Sequence, residues 1–229
     1  MASEVLINSN QREIRVALME NNQVAELFIE HKANKGIVGN IYWGKVTKIL
    51  PGMQVAFVDI GMGKAGFLYV GDIDVVHMLE FEDEKAPPPL ANETDDLCEE
   101  KPGRFNHGIS IQDILQEGQD ILVQVAKNPL GAKGARITNY ITLPGRYLVY
   151  MPTVNHISVS RRIEEEDEKE RLRILHNEIG NPGEGYIVRT VGQDATRSDF
   201  YSDLKFLHRL WRNLKKKSDN LSAPHLVYE

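Results

Sequence analysis

The residues with the most evident chemical potential stand at the end of a short apolar run. In Gly185-Tyr186-Ile187-Val188-Arg189-Thr190-Val191-Gly192 the run 186–188 reads as a strand that stops on an arginine, a threonine and a glycine. A guanidinium fork, a hydroxyl and freed backbone N–H groups at one strand end can grip a single phosphate. Taken alone, the pattern also fits a solvated arginine in a surface loop. A second chemistry is stacking. Along 54–61, alternation sets Ala56, Val58 and Ile60 on one face and Val55, Phe57 and Asp59 on the other. Phe67 follows in the next apolar run, with Lys45, Lys48 and Lys64 near in sequence. Rings on an exposed sheet face with lysines around them stack bases and hold backbone phosphates. Barrel walls curve, so the same alternation also fits rings turned into a core.

The elements that must position these residues are mostly short strands. Residues 4–8, 12–18 and 24–29 read as a three-stranded meander with too little apolar area for a core of its own. From residue 41 come strands at 41–49, 54–61 and 66–70, then at 121–125 and 135–138, separated by turn residues such as Pro51-Gly52. Five strands that close after a long excursion fit a Greek-key barrel of the oligonucleotide-binding kind. The excursion, about 82–107, combines three consecutive prolines with clustered acids and has no usable periodicity, so it reads as a solvated insertion. Neither Cys98 nor His107, inside it, is assigned a role. Strands at 146–151 and 156–160 follow, then an acidic helix over 164–179 and the 186–188 strand. A helix over about 197–217 carries Phe200, Leu204, Leu207, Trp211 and Leu214 at core spacing, opened by a Thr196/Asp199 capping box. Residues 223–229 look like a strand that begins as the chain stops. The class is α+β and largely β.

Bulk properties narrow the partners. No apolar run approaches bilayer length, and no signal-peptide core opens the chain. A single cysteine excludes an internal disulfide framework or a CxxC zinc site within these 229 residues, which suits a reducing, cytoplasmic setting. The net charge of −6 is uneven: nine acids and one lysine lie between Glu80 and Glu100, and the rest of the chain has a small basic excess. Global acidity therefore does not argue against a nucleic-acid partner.

An ordered series of motifs ties these pieces together. Gly44-x-Val46-x-x-Ile49, 56–61 (AFVDIG), Gly66-Phe67-Leu68 and Arg136-Ile137-Thr138 resemble the S1 RNA-binding domain. With Leu6-Ile7-Asn8, Arg15-Val16-Ala17-Leu18, Asn40-Ile41-Tyr42-x-Gly44-Lys45-Val46, Ser160-Arg161-Arg162-Ile163 and Ile187-Val188-Arg189-Thr190, the series is similar to the ribonuclease E/ribonuclease G family over nearly the whole chain.

The resemblance implies four parts: N-terminal strands of a ribonuclease-H-like subdomain (1–36), an inserted S1 domain (37–139), a 5′ sensor (140–222) and the start of a further strand (223–229). It implies single-stranded RNA with a 5′ monophosphate as partner. Arg189 and Thr190 would hold that phosphate, Gly145 and Val149 would make main-chain contacts to the terminal nucleotide, and Phe57, Phe67 and Lys133 would form the S1 surface. Mg²⁺ for catalysis and Zn²⁺ for an oligomer link belong to family segments not found in this sequence. The expectation is thus a recognition half that does not cleave by itself, monomeric or weakly dimeric, of an enzyme that oligomerises when whole. A stand-alone, non-enzymatic S1 protein is the competing expectation.

Overall fold

A computed structural model describes residues 3–31, 36–74, 110–181 and 183–229. The acidic excursion with Cys98 and His107 lies outside the described residues. The chain divides into two units, Met1–Ile37 and Val38–Glu229. The first is the expected meander: β1 (Ser3–Ser9), β2 (Glu13–Glu20) and β3 (Gln23–His31), antiparallel in the order β1-β2-β3. Its apolar side chains stay largely in solvent; Val5, Leu6, Ile7, Val24, Leu27, Phe28 and Ile29 are all exposed. A three-stranded sheet has no second layer against which to bury them.

The second unit holds a closed five-stranded barrel. Its strands are β4 (Ile41–Leu50), β5 (Val55–Asp59), β6 (Gly66–Tyr69), β7 (Asp120–Lys127) and β8 (Arg136–Thr138). They pair in the order β4-β5-β6-β8-β7, and β4–β7 pairing closes the ring. The short helix α1 (Ile111–Ile114), opened by a Ser110/Asp113 capping box, precedes β7. Ala56, Val58 and Ile60 are buried inside the barrel as alternation requires, with Leu68, Val123, Val125 and Ile137.

Val55 departs from the alternation. Alternation places it beside Phe57 on the outer face, yet it is 2% exposed. At the preceding residue, the Gln54 side chain donates to the Ser110 hydroxyl (3.2 Å) and accepts from the Ile111 amide (3.0 Å), which fixes the segment leading into α1 at this end of β5.

Beyond the barrel, β9 (Leu143–Pro144), β10 (Leu148–Met151), β11 (Ile157–Val159) and β12 (Gly185–Val188) form a sheet in the order β11-β12-β10-β9. Helix α2 (Glu166–Ile179) connects β11 to β12, and α3 (Arg197–Asp219) follows with its Thr196/Asp199 capping box in place. Phe200, Leu204, Leu207 and Leu214 are buried with Leu148, Tyr150, Tyr186, Val188 and Leu172 in one core. Each such side chain contributes about 1.5–3 kcal/mol as an upper figure. Trp211 packs on the edge of this core.

The final segment is a paired strand. β13 (His225–Tyr228) runs antiparallel to the start of β4, opposite Ile41, Tyr42 and Trp43. Val227 and Ile41 both enter the α3 core, and the Lys217 ammonium donates to the Val227 carbonyl at 2.6 Å. The barrel and the β9–β12 sheet therefore share buried residues.

Candidate RNA-binding site

The Arg189–Thr190 end of β12 is built by three separate segments. Strand β12 pairs antiparallel with β10, Val188 opposite Leu148 and Ile187 opposite Val149. The Arg189 amide then donates to the Tyr147 carbonyl (2.8 Å), which carries the pairing one residue past the strand. Residues 190–192 turn sharply as a 3₁₀ turn, with Gly192 N–H donating to Arg189 O (2.8 Å) and Gln193 N–H to Thr190 O (3.1 Å). That pattern does not use the Thr190 and Val191 amides.

The exposed Arg189 guanidinium is oriented by main chain. Its Nη1 donates to the Gly145 carbonyl at 2.6 Å and approaches the Arg146 carbonyl at 3.5 Å. A guanidinium fixed through one Nη1 hydrogen keeps its Nε–Nη2 edge for a bidentate contact with an oxyanion. The Thr190 hydroxyl lies 2.9 Å from the Ser160 hydroxyl, and Ser160 donates its amide to Val188 O (2.8 Å). Arg161 and Arg162, both exposed, follow Ser160 directly.

The 145–148 turn is held by one side chain that sequence reading does not single out. The Asp203 carboxylate on α3 accepts three amides: Arg146 through Oδ1 (3.0 Å), and Tyr147 (2.8 Å) and Leu148 (3.0 Å) through Oδ2. A Cβ on residue 145 would stand 2.6 Å from both Asp203 oxygens, so only glycine permits this approach. Gly145 also donates its own amide to Leu148 O (2.7 Å). Both main-chain groups of Gly145 are thus engaged within the protein, and its direct effect here is on Arg189. Val149 lies between Ile187 of β12 and Pro144 of β9, half-buried. The structure therefore brings Arg189, Thr190, Gly145 and Val149 to one end of the β10–β12 pair, and adds Ser160 and Asp203.

The other end of that pair carries a polar network, also unmarked in the sequence. Glu184 accepts from the Tyr150 hydroxyl (2.8 Å), the Tyr186 hydroxyl and Asn181 (3.1 Å), with His208 Nε2 2.9 Å away. Burial opposes the Glu184 charge, but these donors and His208 outweigh it and hold the carboxyl below its usual range. Burial, then the hydrogen bond to Glu184, pushes both tyrosine hydroxyls well above their ordinary value. Helix α3 thus grips both ends of the strand pair, through Asp203 and His208.

On the barrel, Phe57 and Phe67 are register partners across β5 and β6, partly exposed, with ring centroids 6.4 Å apart at 66°. The rings stand outside the core. Lys133 is exposed in the β7–β8 connection, which crosses close to β6: a Cβ at Gly134 would fall 1.8 Å from the Ala65 carbonyl oxygen. The Phe67 amide donates to Ala135 O (2.8 Å). Lys133 therefore follows a fixed path two residues from the pairing that supports Phe67. Lys48, Phe57, Phe67, Arg136 and Lys127 are successive register partners across five strands. In the adjacent row, Ile49, Ala56, Leu68, Ile137 and Val125, all but the half-buried Ile49 are buried in the barrel interior.

Among the described residues no three His, Cys, Asp or Glu side chains come together as a metal-ion site. Among the described residues no helix is long and apolar enough to cross a membrane.

Comparison with known proteins identifies relatives along the whole chain. The sequence model of the Ribonuclease E/G family matches residues 142–229. Ribonuclease G of Haemophilus influenzae is 43% identical over 227 residues, which cover 99% of this chain and 43% of that protein. Ribonuclease G of Escherichia coli K12 is 40% identical over 228 residues, again 43% of its length. Ribonuclease E of the same strain is 35% identical over 227 residues, 19% of its length. The chain spans less than half the length of these relatives.

Proposed function

This chain belongs to the ribonuclease E/G family, and from that premise we propose that it is the part of an RNA-processing endoribonuclease that binds single-stranded RNA and senses a 5′ monophosphate. One observation carries the sensing half of this reading. An exposed guanidinium, fixed by the Gly145 carbonyl on the β10 side, and a threonine–serine hydroxyl pair on the β11 side are held at the same end of β12. A terminal phosphate would take the Nε–Nη2 edge of Arg189 bidentately and the Thr190 hydroxyl as a further donor. The donors suit one phosphate. A triphosphate would bring more charge and volume than one guanidinium edge and one hydroxyl can match, and a 5′ hydroxyl would leave the guanidinium without its anion.

The barrel supplies the second contact surface, where bases stack on Phe57 and Phe67 and Lys133 meets the backbone. In this reading the chain selects RNA, and Mg²⁺-dependent hydrolysis belongs to other residues of the enzyme. RNA as partner implies a cytoplasmic protein, and assembly into oligomers is a property of the whole enzyme.

The test compares binding of one short RNA bearing a 5′ monophosphate, triphosphate or hydroxyl, for the parent chain and Arg189→Ala. Loss of a bidentate charge-assisted contact costs about 1.5–3 kcal/mol, roughly ten- to a hundredfold in affinity, for the monophosphate RNA alone. A parent chain that binds all three alike refutes the sensor. Magnesium-dependent cleavage by the rigorously purified chain, abolished by a substitution within it, refutes the division of labour.

A further inference from the structure

Helix α3 buries one side and leaves the other to solvent, and the solvent side carries charge of one sign. Phe200, Leu204, Leu207 and Leu214 enter the core. Tyr201, Lys205, Arg209, Arg212 and Lys216 recur at spacings of three or four along the other side, and all are exposed. Between Ser198 and Lys216 that side holds no acid, because Asp199 caps the helix and Asp203 binds the amides of residues 146–148. Among the described residues none of the four cations has an ion-pair partner. Arg212 Nε reaches only the His208 carbonyl of its own helix (3.4 Å), and the Arg209 guanidinium lies 6.0 Å from the centroid of the exposed Phe206 ring.

Helix α2, which packs on the same core, treats its cations differently. Lys169 pairs with Glu166 (2.9 Å), Arg171 with Glu168 (2.6 Å) and Arg173 with Glu170 (3.5 Å), each at i, i+3. Such pairs lace an ordinary solvated helix, whereas like charges at i, i+4, as in Lys205–Arg209 and Arg212–Lys216, lower helix stability. The helix dipole favours cations in the last turn, which accounts for Lys216 but not for Lys205 or Arg209.

We propose that the outer face of α3 is a further surface for single-stranded RNA, built of residues other than those at the β12 end and on the barrel. Lys205, Arg209, Arg212 and Lys216 meet backbone phosphates, and Tyr201 offers its ring to an unpaired base. At a rise of 1.5 Å per residue the four cations repeat about every 4.5–6 Å, and Tyr201 to Lys216 spans about 22 Å, room for a few nucleotides. A regular line of cations complements a regular line of anions, which a polynucleotide backbone supplies. The Tyr201 ring is 60% exposed and suits a base face, which a duplex does not present. An anionic membrane would require an apolar face beside the cations, and the apolar face of α3 is buried in its own core.

The inference rests on the proposed RNA-binding reading, and the experiment separates the two. Binding of an unstructured RNA with a 5′ hydroxyl, which leaves the sensor out, is measured against salt concentration. Lys205→Gln/Arg212→Gln keeps helix propensity and removes two contacts. It is expected to flatten the slope of log K against log salt by about 1.4, or about 0.7 for each contact on a single strand. With 1 M salt as the point where such contacts vanish, affinity at 0.1 M falls about 25-fold. Lys169→Gln/Arg173→Gln makes the same change in net charge on α2 and is expected to keep the parental slope. Tyr201→Ala is expected to weaken binding roughly five- to tenfold without changing the slope. An α3 double variant whose slope matches that of the parent or of the α2 variant overturns the surface. If Phe57→Ala still weakens binding in that case, the RNA-binding reading stands; a parent that binds no RNA defeats both. Parental affinity in Tyr201→Ala overturns the base contact, and a duplex of equal length bound as tightly as the single strand overturns the choice of single strand. Binding to anionic phospholipid vesicles that the α3 double variant abolishes, with RNA binding unchanged, assigns the face to a membrane and overturns the proposal.

Discussion

Replacing Asp203 tests the architecture of the sensor most directly, because this one carboxylate holds the turn that holds Arg189. Its three accepted amides come from Arg146, Tyr147 and Leu148, at 2.8–3.0 Å. In Asp203→Ala the Arg146 amide is exposed and finds water, at little cost. The Tyr147 and Leu148 amides are partly buried, and each loses a charge-assisted bond at about 1–2 kcal/mol. The expected loss of stability is about 2–4 kcal/mol, read by urea denaturation with an unchanged slope. Asp203→Asn is the graded control. Its carbonyl oxygen keeps the two amides now bound by Oδ2 while its NH₂ faces the Arg146 amide, so about a third to a half of the loss remains. The functional consequence is separable from stability. With the 145–148 turn released, Gly145 O no longer fixes the Arg189 guanidinium, and the preference for 5′-monophosphate RNA falls at temperatures where the variant is folded. A folded Asp203→Ala chain with the parental monophosphate preference refutes the argument that this turn orients Arg189.

Four further outcomes follow from the same geometry. Gly145→Ala forces Asp203 aside and is expected to lower both stability and monophosphate preference, a pairing that distinguishes it from Arg189→Ala, where only the preference changes. Phe57→Ala and Phe67→Ala each cost about 1–3 kcal/mol in single-strand RNA affinity whatever the 5′ end, measured by fluorescence anisotropy. Thr196→Ala removes the acceptor for the Asp199 amide at the start of α3 and lowers stability by about 1 kcal/mol in denaturant melts. For Glu184, a carboxyl held below its usual value of about 4.5 when folded, stabilisation is fully present above that pH and is lost as pH falls through the folded value. Acid titration of Glu184→Gln is therefore expected to show a shallower loss of stability below about pH 4.5 than the parent.

What the sequence disclosed and what it hid divide along a physical line. Period-two alternation set Phe57 opposite the inward Ala56, Val58 and Ile60, but a curving wall fitted rings turned inward equally well, and the exposure of Phe57 and Phe67 was decided only by the structure. The capping box at Thr196 and Asp199 was legible, since its partners are three residues apart. Asp203 was not. It meets its amides across 55–57 residues. Side-chain bonds over such separations have no periodic signature. Asp203 did leave a faint trace. It stands three residues after Phe200 and directly before Leu204, an acid on the border of a buried stripe, where a charge persists only if a partner meets it. The same test applied along α3 also finds His208, next to Leu207, which proves to face Glu184. Of the residues proposed to touch RNA, Arg189 and Thr190 were visible as a strand end and Phe57 by alternation, whereas Gly145, Val149 and Lys133 came from the family resemblance alone. Those that orient them were visible only as charges set where solvent alone would not keep them.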